Sequence, residues 1–171
     1  VDYALKESLS RREKAGIKEV ILSNNGNLFD IKTMPTLSLL YTINALIEEF
    51  PGVHKIIIES RIEFLNEHQL KTINEVLLAH EDRKIQIEIA LGFEIIDYEL
   101  RNGYYKKGFH KSHLEKLMPI FSKHDISLKF YMMYKSIPQM STHDAIVDIN
   151  SAAQYADELV KEYSVPINMH I

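Results

Sequence analysis

The stretch IQIEIALGFE, Ile85 to Glu94, decides how this chain folds. Written as a strand, its side chains alternate, so Gln86, Glu88 and Glu94 share one face and Ile85, Ile87, Ile89 and Leu91 the other. SLKFYMMY, Ser127 to Tyr134, repeats the pattern, with Lys129, Tyr131 and Met133 opposite Leu128, Phe130 and Met132. Charges on a buried strand are costly unless they are paired or used, so the polar face reads as a working interior.

Working outward, GIKEVILS up to Ser23, HKIIIES (His54 to Ser60) and Val165 to Ile171 are further strands. Between them lie segments of helical period. Asp2 to Ala15 carries Leu5 and Leu9 and stops at Gly16. The next uses Leu37, Leu40, Tyr41, Ile47 and Phe50 and stops at Pro51-Gly52, and another uses Leu70, Ile73, Val76 and Leu77. Pieces near Ile95 to Arg101 and Lys111 to Lys123 follow, the second expected to be interrupted at Pro119. The last helix starts at Ser141, with Asp144 in its first turn.

Helix and strand thus alternate with a period of roughly thirty residues, one βα unit. The pattern predicts an α/β fold of parallel βα repeats, about five strands in a single domain over residues 1–171. In an open sheet covered by helices, central strands are apolar on both faces. Here one face is repeatedly polar: Ser23 and Asn25, Glu59 and Arg61, Glu88 and Glu94, Lys129 and Tyr131, Asn168 and His170. A curved sheet around a ligand cavity, a partial (β/α) TIM-type barrel, is the expectation.

Composition narrows the function classes. With 20 Lys and Arg against 24 Asp and Glu, the net charge of -4 argues against a strongly basic nucleic-acid or membrane surface. No apolar run reaches the roughly 20 residues of a membrane span, and the expected location is the cytoplasm. There are 0 cysteines, so no disulfide, thiol nucleophile or thiolate metal site can come from this chain. Val1 in place of Met, and an apolar run ending at Ile171, read as cut ends.

In parallel βα folds reactive groups gather at the carboxyl ends of strands. Asn25, Gly26 and Asn27 stand there and can present amide and backbone groups to an amino-acid-like or phosphate ligand, or simply form a βα turn. Glu59 and Arg61 suit a zwitterionic or ribose-bearing ligand, or a structural ion pair. Glu88 and Lys129, at similar depth, are expected to pair across the interior; Lys129 as a Schiff-base lysine is the alternative. His110 and His113 lie at i, i+3 in a Lys-rich stretch without matching carboxylates, which argues against a metal pair. Lys106 and Lys107 beside Tyr104 and Tyr105 read as a solvated loop, with phosphate or RNA contact as the alternative.

Four segments in order, SNNGNLFDIKTMP (Ser23 to Pro35), IIIESRIEFLNEHQL (Ile56 to Leu70), IEIALGFEIIDYELRNGYYKKGF (Ile87 to Phe109) and LKFYMMYKSIPQMSTHDAIVDI (Leu128 to Ile149), carry a resemblance. Together they resemble the radical S-adenosylmethionine superfamily, in its archaeosine-synthase and elongator-acetyltransferase branch. The resemblance implies a partial barrel, S-adenosylmethionine as cofactor, and a [4Fe-4S] cluster held by a cysteine loop after a first strand. This sequence then lacks that strand and loop. Asn25, Gly26 and Asn27 would meet the methionine amino group, and Glu59 and Arg61 match an acidic-then-basic pair. Glu94 and Arg101 fall where ribose and carboxylate are held, and Lys129, Tyr131 and Met133 pass near the nucleoside. Ile62 stands where the family often has Pro, and NNGNLFD replaces a Ser-containing loop.

The implied activity is 5'-deoxyadenosyl radical chemistry, with tRNA modification as one setting. The alternatives are a cluster-free nucleoside-binding barrel and a lysine-dependent lyase or aldolase. An exposed edge beside the Ser23 strand predicts a homodimer.

Overall fold

Three consecutive isoleucines, Ile56, Ile57 and Ile58, are each at most 2% exposed, as β-branched residues are in a strand covered on both faces. They belong to β2 of a computed structural model that describes residues 11–80, 82–108 and 110–171. The element order is α1 (Arg11–Gly16), β1 (Glu19–Leu22), α2 (Thr36–Glu49), β2 (Lys55–Ser60), a 3-10 turn (Ile62–Phe64), α3 (Glu67–Leu78) and β3 (Gln86–Glu94). It continues with α4 (Tyr98–Tyr105), α5 (Lys111–Lys123), β4 (Ser127–Met132), α6 (Thr142–Tyr163) and β5 (Ile167–His170). The expected first helix falls mostly outside the described residues, Leu5 and Leu9 included.

The protein is α/β, with one five-stranded, all-parallel sheet in the order β1-β2-β3-β4-β5. In-order parallel strands are what successive βα units of one hand produce. β1 and β5 end the order, and no pairing among the described residues closes the sheet. β1 is an end strand among the described residues, and Ile21 on it is 53% exposed.

Two compact units divide the chain: residues up to Ser60 with Phe64–Glu88, and Arg61–Glu63 with Ile89–Ile171. In the first, β1 pairs with β2 in register from Glu19 beside Lys55 to Leu22 beside Ile58. Helix α2 buries Leu39, Ile43, Leu46 and Ile47, a stripe at i, i+4, i+7 and i+8. Leu37 and Tyr41, expected in that stripe, lie instead toward solvent, because a two-residue step turns about 200° around the helix. Arg83 closes the end of α2, donating to the carbonyls of Ile47, Phe50 (2.9 Å) and Val53 (3.0 Å). These are the last carbonyls of the helix and turn, which lack helical donors.

In the second unit β4 pairs with β5, Leu128 beside Ile167 through Tyr131 beside His170. Phe93 and Phe130 meet with ring centroids 4.3 Å apart. Helix α5 runs unbroken through Pro119, against expectation. An internal proline costs about 3 kcal/mol; three fully buried anchors, Leu114, Met118 and Phe121, hold the helix across it. Helix α6 begins as expected, Ser141 accepting from Asp144 N and Asp144 accepting from Ser141 N, a reciprocal cap.

Candidate functional site at the carboxyl end of strand β3

Strand β3 is longer than a strand ending at Leu91. It runs to Glu94, and its burial is nearly continuous on both faces, as a central parallel strand requires. Glu94, its last residue, has φ of 62°, a left-handed conformation that costs a non-glycine residue about 1–2 kcal/mol. Lys106 and Ser164 share that region as helix C-caps, a common place for it. Glu94 instead ends a strand, and Lys135, in the loop after β4, has a similar φ of 50°. Met133 N donates to its carbonyl at 2.9 Å, fixing the turn.

The Glu94 carboxylate folds back over Gly92. Lys107 Nζ donates to Glu94 Oε1 at 3.0 Å, both side chains about one-fifth exposed. A Cβ at Gly92 would stand 2.8 Å from Glu94 Oε1 and 3.0 Å from Lys107 Nζ. Glycine is what leaves room for the ion pair on this strand. Arg61 donates to the Lys107 carbonyl at 3.2 Å and pairs with Glu63. Arg61, Glu63, Gly92, Glu94 and Lys107 thus form a charged cluster of both signs within one unit. Lys107 is drawn into it from a loop read as solvated, with phosphate or RNA contact as the alternative; its distance along the chain from Glu94 hid the pairing.

The other expected site residues distribute as follows. Asn25 is exposed. Gly26 is packed so closely that a Cβ would lie 2.5 Å from Thr33 Cγ2. Asn27 is buried, its Oδ1 accepting from Phe29 N at 2.8 Å and Ser60 Oγ at 3.3 Å, an Asx turn that pins the loop after β1 to the end of β2. Glu59 is half-buried on β2. Glu88, fully buried, takes Lys55 Nζ at 3.3 Å. Asn25, Gly26, Asn27, Glu59 and Glu88 belong to the first unit, and Arg61, Glu94, Arg101, Lys129, Tyr131 and Met133 to the second.

On β4, register sets half-buried Lys129 beside Asn168 and Tyr131 beside His170, with Tyr131 and His170 rings edge to face at 5.6 Å. The polar residues share a face as expected. On the edge strand, however, Asn168 and His170 are exposed, and Met133 is 44% exposed just past the strand end. Polarity there reflects an open edge rather than a closed lumen.

No protein-family model matches the chain. One curated protein, from Methanocaldococcus jannaschii and described only as the uncharacterized protein MJ0550, is 25% identical over 158 residues. The match covers 92% of this chain, which spans about two fifths of the relative's length (41%).

Arg101 is not at a surface. It is fully buried over Phe93 and Tyr98, and its Nη1 donates to the carbonyls of Ile95 and Ile96, both at 3.2 Å. Burial lowers its pKa, opposed by Tyr155, Asp97 and Asp148, and the guanidinium stays charged at neutral pH. Asp148, absent from the sequence-based candidates, accepts from the N–H groups of Ile96 (3.1 Å) and Asp97 (3.3 Å). Its position three residues after Ala145 and four before Ala152, on the buried side of α6, was the available signal.

Two carboxylates on α6 titrate in opposite senses. Burial raises Asp148, so its contribution to stability is present at low pH and is lost as pH rises from about 4 through its folded value. The Ser141 hydroxyl and N–H lower Asp144, whose contribution is present above pH 4 and is lost on acidification. Melting temperatures across pH 3 to 7 should show Asp148→Asn flattening the neutral-side decline and Ser141→Ala the acid-side one. Identical profiles for both variants and the parent would contradict this assignment.

The His110 and His113 spacing has a structural reason: His113 Nδ1 accepts from His110 N at 3.4 Å at the start of α5. Among the described residues no group of three or more His, Cys, Asp or Glu could hold a metal ion.

Proposed function

We propose that the charged turn at the end of β3 binds S-adenosylmethionine, on a sheet that forms the wall of a partial barrel of the radical S-adenosylmethionine type. The observation that supports this reading most is Glu94, strained at positive φ and folded over Gly92 onto Lys107. The cofactor carries an ammonium and a sulfonium, a carboxylate and a ribose diol. A carboxylate beside cationic side chains meets those groups, with Glu94 accepting from amine or ribose hydroxyls and Arg61 or Lys107 facing the carboxylate.

A [4Fe-4S] cluster does not fit the residues present. It needs thiolates, the chain has 0 cysteines, and its ligands must come from outside these residues. The chain's own part is to bind, orient and shield the cofactor. Absence of cysteine equally favours the second reading, a nucleoside-binding domain without radical chemistry. With a net charge of -4 the chain offers RNA little attraction, so a tRNA substrate would depend on another domain.

Calorimetric titration with S-adenosylmethionine tests the site. Glu94→Gln removes the charge and keeps the shape, and should weaken binding about tenfold or more, the value of a charge-assisted hydrogen bond. Gly92→Ala, which displaces only flexible side-chain ends, should do the same while melting near the parent temperature. Binding unaltered by both substitutions, or no binding to the parent chain, would overturn the assignment. Borohydride trapping of Lys129 with a carbonyl compound would instead favour the lyase reading.

A further inference from the structure

A cleft of about 680 Å³ opens beside the turn after β3, within the second unit, between the starts of α4, α5 and α6. That volume is ordinary for a small-molecule site. Its apolar wall is made by Ile96, Leu100, Met140 and Val147, with Leu100 and Val147 37% and 49% exposed. The rings of Tyr98 and His110 lie against each other on one side, centroids 4.0 Å apart and tilted by 38°.

Charge decides what such a cleft can take. Helix starts attract anions through free N–H groups. Here the chain's own side chains already serve those donors. Asp97 accepts from Leu100 N at 2.9 Å, Ser141 from Asp144 N at 3.1 Å, and Asp148 from the N–H groups of Ile96 and Asp97. Asp97, Asp144 and Asp148 all line the cleft. Against them stand the ammonium of Lys111, held over the Tyr155 ring at 4.2 Å, and, behind the wall, the buried Arg101 guanidinium that interacts with Asp97 and Asp148, so the carboxylates still outnumber the cations. Three carboxylates along the cleft favour a cation by charge, and the Tyr98–His110 pair adds an aromatic wall against which an apolar ring can pack.

We propose that this cleft binds a small organic cation with a flat apolar body, of the aromatic amidinium or N-alkylated heterocycle class. The ring lies along Tyr98 and His110 and against Leu100 and Val147, and the cationic end faces Asp97, Asp144 and Asp148. This site is separate from the Glu94 cluster, so either can fail without the other.

Benzamidine and benzoate share a ring and differ in the sign of charge, which makes them suitable probes. In an amide-resolved NMR titration of the whole chain, benzamidine should give saturable shifts centred on Leu100, His110 and Val147. Benzoate should bind at least tenfold more weakly. Val147→Lys, at a half-exposed position that tolerates substitution, should weaken benzamidine at least tenfold with the rest of the spectrum and the melting temperature retained. Glu94→Gln should leave benzamidine binding unchanged. Equal affinity for the two probes, saturable shifts located elsewhere, no saturable shifts, or full binding by the Val147 variant would each overturn the proposal.

Discussion

Gly52→Ala should lower stability by about 3 kcal/mol, near the top of the range for inserting a methyl into a packed site. Gly52 lies in the turn from α2 to β2, where Val53 N donates to Phe50 O at 3.0 Å. A Cβ there would sit 2.1 Å from the carbonyl oxygen of Ala15 and 2.8 Å from that of Ile17. Both are backbone atoms in a tied segment. Ile17 N donates to Lys14 O, His54 N donates to Lys18 O at 2.9 Å, and buried Lys14 reaches Glu49 at 2.8 Å. The clash cannot be relieved by rotating a side chain, so two backbone segments must part. Alanine would also stiffen the unfolded chain, a gain of about 0.4–1 kcal/mol, too small to offset the overlap.

For a domain of this size the loss corresponds to roughly 6–12 °C in melting temperature. Gly103→Ala is the control. It lies within α4, where a Cβ meets nothing within 4 Å, and should stabilise by about 0.5–1 kcal/mol through helix propensity. If Gly52→Ala melts with the parent, the close approach of the two segments is not a feature of the protein in solution.

Gly52 also shows what kind of information local sequence carries. Pro51-Gly52 is legible as a helix stop, because proline and glycine act on the chain next to them. That the same glycine must lie against Ala15 is a contact between segments far apart in sequence, and no local pattern encodes it. The parallel βα order, the boundaries of α5 and the reciprocal cap of Ser141 and Asp144 were readable for the same reason: period and capping are local. The phase of α2 was not, since Leu37 and Tyr41 are as apolar as Leu39 and Ile43 and only the packing partner selects the buried stripe.

At the candidate site the limits are similar. Glu94 was visible as a carboxylate at a strand end. Its positive φ, its fold over Gly92 and its pairing with Lys107 depend on a loop that returns from beyond α4. Arg101 was legible as a cation near the strand end but not as a buried one, because its environment is made by Phe93, Tyr98 and α6. Alternating polarity likewise does not separate an occupied interior, as at Glu88, from an open edge, as at Asn168 and His170.

Arg101→Met should cost about 3–5 kcal/mol, the range for removing one member of a buried charged arrangement. The turn after β3 is held from two sides. Arg101 supplies donors to the carbonyls of Ile95 and Ile96, while Asp148 supplies the acceptor for the N–H groups of Ile96 and Asp97. Methionine fills most of the apolar volume beside Phe93, so the loss is mainly electrostatic: it strips the Nη1 donor from two carbonyls and removes a positive charge that favours the Asp148 carboxylate. Asp148→Asn keeps an oxygen acceptor for Ile96 N and should cost less. In the double variant no carboxylate remains to lose that charge, so the combined loss should fall short of the sum of the single losses by about 1 kcal/mol or more, the sign of direct coupling. Urea unfolding of the four proteins measures that cycle, and strict additivity would mean that the two side chains stabilise the turn independently. Glu94 immediately precedes this turn, and Ile96 and Asp97 line the cleft. The turn that Arg101 and Asp148 hold thus forms one wall of the cleft, and its stability sets how well that wall is ordered.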